Sequence, residues 1–268
     1  MGTISKALDL LNLFLPTRPE IGLGDFVRLS GRDKATVHRH LTELAENGFL
    51  EQDIDSRAYR LGPAVLRLSA LRETLFPMRK ILQPIVVELS QKVGELAHAS
   101  LLQSDALSPL VHADPCKHGV QVHFDIAEML PFHATSSGLA ALAFSPEAMQ
   151  ERILSGDLAR YTDHTIRDPD ILRTALESAR EHGVCTLAAA FDEGVSSVGA
   201  PLFGPGGRVI GALSVAVPTV RATPIALRRI SADVLSHAEQ ASIALGGTFP
   251  KTFTPVSDDW ASSAPTAA

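Results

Sequence analysis

Cysteine is scarce in this chain: Cys116 and Cys185 are the two thiols in 268 residues, and neither belongs to a CxxC or CxxH motif. Two isolated cysteines argue against a disulfide framework or a zinc ribbon, and they fit a reducing compartment. No apolar run approaches the roughly 20 residues that cross a bilayer. The first residues also lack the layout of a signal peptide. We therefore expect a cytoplasmic protein that does not enter a membrane.

Motifs of catalysis and metal binding are missing too. The sequence has no GxSxG nucleophile motif, no phosphate-binding P-loop and no dinucleotide fingerprint. Four histidines share one stretch without the spacing of metal ligands; they are His98, His112, His118 and His123. We predict no catalytic residue, no metal site and no cofactor. An enzyme in which Cys116 or Cys185 pairs with a histidine base stays an alternative.

Charge is unevenly distributed along the chain, whose formal net charge is -6. The first 80 residues carry a small excess of Lys and Arg over Asp and Glu, whereas the remainder is acidic. A mildly basic N-terminal part on an acidic protein indicates a polyanionic partner for that part alone. Ordinary scatter of charge along the sequence is the alternative.

Helical spacing dominates the N-terminal part. The apolar residues of a first helix recur at i, i+4, i+7 and i+11; they are Ile4, Leu8, Leu11 and Leu15. We expect Pro16 to end this helix. Its apolar surface is so wide that we expect it to pack both on its own domain and on a second subunit. A short second helix is expected at residues 23–29, followed by a turn at Gly31.

A third helix follows, and its first two turns are basic. Asp33 is a suitable N-cap because its carboxylate can accept from free backbone N–H groups, and Gly48 ends the helix. Val37, Leu41 and Leu44 form its buried face. Small and basic residues at the start of a helix that follows a short turn are typical of a helix that enters a DNA major groove. The predicted DNA-contacting residues are Lys34, Ala35, Thr36, His38, Arg39 and His40.

A short β-hairpin is predicted directly after this helix, with strands at residues 49–52 and 58–61. A hairpin in this place is a wing, and it argues against the alternative of a helical hairpin whose polar face is merely solvated. Arg57, at the tip, is suited to a phosphate or to the minor groove. A further helix is expected at residues 64–75.

The pattern beyond Pro77 and Pro84, which we expect to bracket a junction, alternates between strand and helix. The expected strands are 96–102, 107–112, 120–124, 184–190, 197–203 and 209–217, and the expected helices are 85–93, 136–144, 147–154, 171–182 and 224–245. This order predicts an α+β domain with one mostly antiparallel sheet. The Ser-, Thr-, Ala- and Pro-rich tail at 247–268 is expected to be disordered.

The stretch LPFHATSSGLAALAF places Thr135, Ser136 and Ser137 where a helix begins. Free N–H groups and the positive end of a helix can receive a carboxylate, and hydroxyl groups add donors that rotate to fit. His133, just before this place, is positioned to pair with a carboxylate. Ordinary capping by the hydroxyls, and a capping or core role for His133, are the alternatives.

Five stretches of the chain, taken in order, resemble the IclR family of bacterial transcriptional regulators. They are SKALDLLNLF, DFVRLSGRDKATVHRHLTELAENGFLEQD, YRLGPAVLRLS, LPFHATSSGLAALAF and GAPLFGPGGRVIGALSVAVP, and they span about residues 3–246. The resemblance implies a winged helix-turn-helix domain at 1–62, a linker helix at 63–82 and a GAF-like α/β effector-binding domain at 83–246. It also implies a homodimer through the N-terminal domains, or a tetramer built as a dimer of dimers.

The resemblance implies effector-binding residues as well. Positions that match the pocket of a family member that binds small keto acids are Val122, Leu130, Ser136, Ser137, Leu187, Ser197 and Ser214. Leu187 stands where that member has an acidic residue, and Ala216 stands where it has a second strand serine. The pocket is therefore expected to be more apolar. This favours an effector with a carboxylate and an apolar or aromatic body over a very small, highly polar acid.

Taken together, these features predict a transcriptional regulator, with repression as one mode of action. Its operator binding would be controlled by a small organic acid, and it would regulate a catabolic operon. Two alternatives remain at this stage: an enzyme with a regulatory head, and a sensor that binds a partner protein in place of double-stranded operator DNA.

Overall fold

The computed structural model describes residues 2–250 and 253–256. The chain forms two compact units that divide between Pro77 and Met78. The domain boundaries expected after residues 62 and 82 stay predictions. Within the described residues, no helix combines the length and the apolar character needed to cross a membrane.

The first unit consists of three helices, a two-stranded antiparallel hairpin and a further helix. Its elements are α1 (Thr3–Leu11), α2 (Leu23–Ser30), α3 (Lys34–Glu46), β1 (Leu50–Gln52), β2 (Tyr59–Leu61) and α4 (Pro63–Leu75). Phe26 of α2 lies at the centre of the core, with its ring centroid 5.7 Å from that of Phe14 and 6.1 Å from that of Tyr59. These edge-on aromatic contacts hold α2 between the segment after α1 and the hairpin.

The first helix is shorter than its apolar spacing predicts. It ends at Leu11, well before Pro16. The chain turns instead, and the Arg18 amide donates to the Leu15 carbonyl at 2.8 Å. The Arg18 guanidinium also donates to the Leu13 carbonyl at 2.9 Å. Carbonyls that a longer helix would have bonded internally are satisfied by this turn.

The second unit contains one six-stranded antiparallel sheet with helices packed on it, which confirms the predicted α+β class. Its elements are α5 (Met78–Val93), β3 (Leu96–Gln103), β4 (Ala106–Ala113), β5 (Leu130–Pro131), α6 (Ser136–Ala143), α7 (Glu147–Leu154), α8 (Pro169–His182), β6 (Cys185–Ala188), β7 (Val195–Phe203), β8 (Val209–Pro218) and α9 (Pro224–Ala244). The strand order is β5-β4-β3-β8-β7-β6. α5 and α9 pack together on one face of the sheet, and α6 lies on the other.

α6 makes two very close contacts, one with β7 and one with the segment at Pro131 and Phe132, and each contact occurs at a glycine. A Cβ atom on Gly199 of β7 would lie 2.6 Å from the Ser136 carbonyl oxygen and 2.7 Å from the Ser137 nitrogen. A Cβ atom on Gly138 would lie 2.6 Å from the Cα of Phe132. Any larger residue at either position would overlap rigid backbone. All the residues of α6 are buried as a result.

Two predictions for the second unit are wrong. Residues 120–124 form no strand; on the side of β4 away from β3, the short β5 pairs with Ala106 and Leu107 instead. Pro84 marks no junction, since α5 continues through it from Met78 to Val93. Burial of Leu82 and its apolar neighbours on α5 offsets the roughly 3 kcal/mol that an interior proline costs a helix.

The tail that was expected to be disordered is partly packed. Phe249 is only 7% exposed. The Phe253 ring centroid lies 5.7 Å from that of Phe249 and 6.0 Å from that of Phe144. The composition of the tail predicted disorder, but burial of the two phenylalanine rings stabilises this part of it against the second unit. Residues 251–252 and 257–268 of the predicted tail lie outside the described residues.

The substitution Gly199→Ala tests the close seating of α6. We expect it to lower the free energy of unfolding of the second unit by roughly 1–3 kcal/mol, which is typical of an overpacked buried contact. Thermal unfolding followed by circular dichroism measures the change. Gly119→Ala is the matched control, because nothing lies within 4 Å of a Cβ atom built there. Equal melting temperatures for the two variants would contradict the close seating.

Candidate nucleic-acid interface and ligand cavity

The start of α3 is fixed by its cap, as predicted. Gly31 takes a left-handed conformation, with φ at 64°, and ends α2. The Asp33 carboxylate then accepts a hydrogen bond of 2.8 Å from the Thr36 amide. Hydrogen bonds from Thr36 lower the pKa of Asp33 below its usual range. Arg32 lies between Gly31 and Asp33 in the sequence, and its guanidinium forms an ion pair with Asp9 of α1 at 2.7 Å. The turn between α2 and α3 is therefore fixed to α1 by this ion pair and to α3 by the Asp33 cap.

Most of the residues predicted to contact DNA lie on the solvent face of α3. Lys34, Ala35, His38 and Arg39 are exposed, and Thr36 is half-buried. His40 is different: it is 3% exposed, and neither ring nitrogen has a hydrogen-bond partner among the described residues. Burial, together with nearby basic side chains, lowers its pKa. His40 therefore lies in the core of the first unit, where it cannot contact a groove.

The wing is a tight hairpin with Arg57 at its tip. Within the turn, the Asp53 carboxylate accepts from the Ser56 amide at 2.8 Å and from the Ser56 hydroxyl at 2.9 Å. The Gln52 side chain donates to the Arg57 carbonyl at 2.9 Å. Arg57 has a left-handed backbone, with φ at 58°, and its side chain is exposed. The turn fixes the backbone while leaving this guanidinium open to a partner.

The second unit contains a cavity of about 100 Å³ between the sheet, the first turn of α6 and the segment that precedes β5. Seven of the eight residues predicted to bind an effector line it: Val122, Leu130, Ser136, Ser137, Leu187, Ser197 and Ser214. The eighth, His133, does not. Its Nε2 atom is hydrogen-bonded to the Ala159 carbonyl at 2.9 Å, and its ring packs beside that of Tyr161. Burial lowers its pKa.

The hydroxyl groups beneath the cavity form a directed chain. The Ser214 hydroxyl donates to the Val198 carbonyl at 2.7 Å, so it must accept from the Ser136 hydroxyl, which lies 3.0 Å away. The hydroxyl protons of Ser136 and Ser214 are therefore both used in hydrogen bonds within the protein. The Ser137 hydroxyl donates a longer hydrogen bond, of 3.3 Å, to the Thr135 hydroxyl, which itself donates to the Pro131 carbonyl. A ligand carboxylate can replace Thr135 as the acceptor of this long bond, and it can also accept from the first backbone N–H groups of α6.

His98 lines the same cavity, although it was predicted neither as an effector ligand nor as a metal ligand. It lies on β3 directly opposite Ser214 of β8. Its Nδ1 atom is hydrogen-bonded to the Ser100 hydroxyl at 3.1 Å, and its ring centroid lies 4.7 Å from that of Phe124. Burial lowers its pKa to about 3, and the nearby His112 adds to this effect. The imidazole is therefore neutral at pH 7.

The rim of the cavity is acidic and aromatic, and it too was missed. Phe124 and Phe191 line it together with Asp125, Glu128 and Asp192, whereas no lysine or arginine of the described chain does so. Burial raises the pKa of Glu128, and the two aspartates add to the effect. These residues come from loops, where the apolar periodicity of strands and helices carries no signal.

The cysteine chemistry weighed as an enzymatic alternative has no support in the geometry. The Cys185 thiol is buried beneath α6 and donates to the Ser136 carbonyl at 3.0 Å. Burial raises its pKa to about 12, so it stays protonated and unreactive. Cys116 is exposed. In the part of the chain that the structure describes, no three His, Cys, Asp or Glu side chains converge as metal ligands would.

Comparison with protein families identifies both units. A family model described as the bacterial transcriptional regulator IclR C-terminal domain matches residues 74–243. A second, described as the IclR helix-turn-helix domain, matches residues 3–53. The HTH-type transcriptional regulator KipR of Bacillus subtilis (strain 168) is 29% identical over 248 residues, which cover 92% of this chain and 98% of KipR.

Solved structures agree with these matches. An ICLR transcriptional regulator from Silicibacter sp. TM1040 superposes with a TM-score of 0.86 at 42% identity, covering 94% of this chain and all of that one. An IclR homolog from Microbacterium hydrocarbonoxydans, complexed with 4-hydroxybenzoate, gives a TM-score of 0.72 at 25% identity, covering 91% of this chain and all of that one. The named relatives are regulators and not enzymes, which removes the enzymatic alternative. The chain therefore belongs to the IclR family of DNA-binding transcriptional regulators.

Proposed function

We propose that this regulator binds its operator as a homodimer or a dimer of dimers, and that a small organic acid in the cavity of the second unit controls the binding. The observation that carries the proposal is the cavity itself, which is lined by seven of the predicted effector-binding residues and by the N-terminus of a buried helix. We further propose that it represses a catabolic operon and, since it acts on the chromosome, that it works in the cytoplasm.

The DNA side of the proposal rests on α3 and the wing. Lys34, Ala35, Thr36, His38 and Arg39 lie on the solvent side of the first two turns of α3, where small residues permit close approach to bases. Arg39 is suited to a guanine edge or a phosphate. Arg57 on the wing is suited to a phosphate or the minor groove. His40 has no place in this set because it is buried.

The effector side rests on hydrogen-bond donors at the start of α6. The Ser136 and Ser137 amides at the start of α6, the Ser137 hydroxyl and the partial positive charge of the helix end converge at the cavity. Val122, Leu130 and Leu187 provide apolar contacts for the body of the ligand. The 4-hydroxybenzoate in the Microbacterium relative supports an acid of about that size.

Control of DNA binding requires that the effector have different affinities for two arrangements of the protein. A ligand that bound both arrangements equally would shift nothing, however tightly it bound. The reciprocal consequence is that operator DNA must change the effector affinity by the same factor.

The proposed dimer rests on apolar side chains that the first unit leaves exposed. Ile4 and Leu8 form one exposed row on α1, and Leu71 and Leu75 form another on α4. Each pair is spaced i, i+4 and so shares one helix face. Contiguous apolar faces of this kind mark interaction surfaces in soluble proteins.

The substitution Arg39→Ala tests the DNA contact. We expect it to weaken binding to the promoter fragment beside the protein's own gene by roughly tenfold to a hundredfold, as the loss of a base contact does, with folding and oligomeric state unchanged. Fluorescence anisotropy with labelled duplex measures the affinity. Arg173→Ala, an exposed arginine of α8 in the second unit, is the control. Normal operator affinity in Arg39→Ala would remove this residue from the interface.

The substitution Ser137→Ala tests the carboxylate site. We expect benzoate-sized acids to raise the melting temperature of the wild type, and we expect Ser137→Ala to weaken their binding by roughly tenfold, because a hydrogen bond to a charged group is lost. Ser145→Ala is the control, since this buried serine at the other end of α6 donates to Ala141 instead. Stabilisation by glyoxylate-sized acids alone would contradict the proposed apolar body of the effector.

The substitution Leu8→Asp tests the dimer surface. We expect it to shift the protein toward smaller species, because a charge would be buried in an apolar interface. Light scattering after size-exclusion chromatography measures the mass. Val220→Asp is the control, because Val220 is also apolar and exposed but lies in the second unit. An unchanged mass for Leu8→Asp would place the interface elsewhere.

A further inference from the structure

One end of the cavity offers hydrogen-bond donors. The buried Ser100 hydroxyl has one hydrogen-bond partner among the described residues, the Nδ1 atom of His98. A buried hydroxyl proton without an acceptor is costly, so Ser100 donates and the proton of neutral His98 sits on Nε2. That Nε2–H belongs to a side chain only 5% exposed, lines the cavity and has no partner within the described residues. With the Ser137 hydroxyl and the α6 amides, it suits an anionic group.

The exposed rim at the other end of the cavity carries three carboxylates and one histidine, His123. The Asp125 carboxylate accepts from the Ala127 amide at 2.8 Å, and that of Asp192 accepts from the Gly194 amide at 2.8 Å. These loop contacts account for one oxygen of each aspartate. Within the described residues, the Glu128 side chain caps no amide, and none of the three carboxylates forms an ion pair. No lysine or arginine of these residues lines the cavity; His123 does, and its proximity partly offsets the raised pKa of Glu128.

Three carboxylates without an ion-pair partner among the described residues lie at the rim, and they affect which charged groups a ligand can place there. They repel the second carboxylate of a dicarboxylic acid, and they attract a positive charge. Phe124 and Phe191, which directly precede Asp125 and Asp192 in the sequence, also line the cavity, and aromatic faces attract ammonium groups. An effector with a plain hydrocarbon tail would leave these carboxylates without a partner.

We propose that the effector is a zwitterion, with a carboxylate at the Ser137 and His98 end and a protonated amine at the Asp125, Glu128 and Asp192 end. The inference rests on the proposed effector site and narrows its ligand class. Ordinary monocarboxylates are weaker ligands of the same site, and dicarboxylates are weaker still. The ammonium group distinguishes the true effector from acids that share its body.

Isosteric ligand pairs test this proposal on the full-length protein. In each pair, one acid ends in a methyl group and the other in an ammonium group: 4-ethylbenzoate with 4-(aminomethyl)benzoate, and hexanoate with 5-aminopentanoate. Isothermal titration calorimetry measures the dissociation constants. We expect the amino acid to bind at least roughly tenfold more tightly in one pair or both, as a favourable charge contact of about 1.4 kcal/mol gives. Terephthalate should bind more weakly than 4-ethylbenzoate.

Variants of the rim locate the preference. In the triple variant Asp125→Asn, Glu128→Gln and Asp192→Asn, the side-chain oxygens that accept from the loop amides are retained, and we expect the preference for the amine to disappear while 4-ethylbenzoate still binds. The single variant Glu128→Gln, at an exposed position that caps no amide, should reduce the preference even if the triple variant unfolds. Glu193→Gln is the matched control, because Glu193 adjoins Asp192 but does not line the cavity.

The possible outcomes separate this inference from the function on which it rests. The zwitterion proposal would be wrong if the two acids of each pair bound with equal affinity, or if the preference survived Glu128→Gln and the triple variant; the proposed carboxylate site would be unaffected. If no acid bound at all, both the zwitterion proposal and the proposed effector site would be wrong. A preference for the amines that the rim variants abolish and Glu193→Gln retains would support the inference.

Discussion

The close seating of α6 on the sheet is the constraint on which the second unit depends. Gly199 has no side chain that would hold the helix away from β7, and Gly138 permits the same close approach to Pro131 and Phe132. The first amides of α6 and the Ser136 hydroxyl consequently reach the level of the strands, where the Ser214 hydroxyl accepts a hydrogen bond from that of Ser136. The same approach buries the Ser136 and Ser214 side chains beneath the cavity. The N-terminus of α6, which would be solvated in a looser fold, consequently lines a cavity and carries a partial positive charge there.

Much of this architecture could be predicted from the sequence, because its signals are local. The capping residue Asp33 predicted the start of α3, and the periodicity of apolar residues predicted most strands and helices of the second unit. The residues of the α6 turn followed from the family motif. Residues 120–124 were mistaken for a strand because apolar residues alternate there, but the strand that joins β4 on that side is the short β5.

The remaining errors concern which side of an element a residue faces. His40 shares a helix face with Val37, Leu41 and Leu44 at the spacing i, i+3, i+4 and i+7. That spacing indicates burial, but the basic character of its neighbours suggested a DNA contact. His98 is the opposite case, since it was judged by its distance from other histidines. Its position on β3 beside Ser214 depends on strand pairing, which a single sequence does not specify.

The two cysteines differ in a way that makes the molecule convenient to label. The thiol of Cys185 is sealed under α6 and stays protonated, whereas that of Cys116 is open to solvent. A maleimide dye will therefore attach to one known position without any engineering of the chain. That position precedes the segment of Val122 and Phe124 along the cavity, so the dye would provide an optical report of ligand entry on the native sequence.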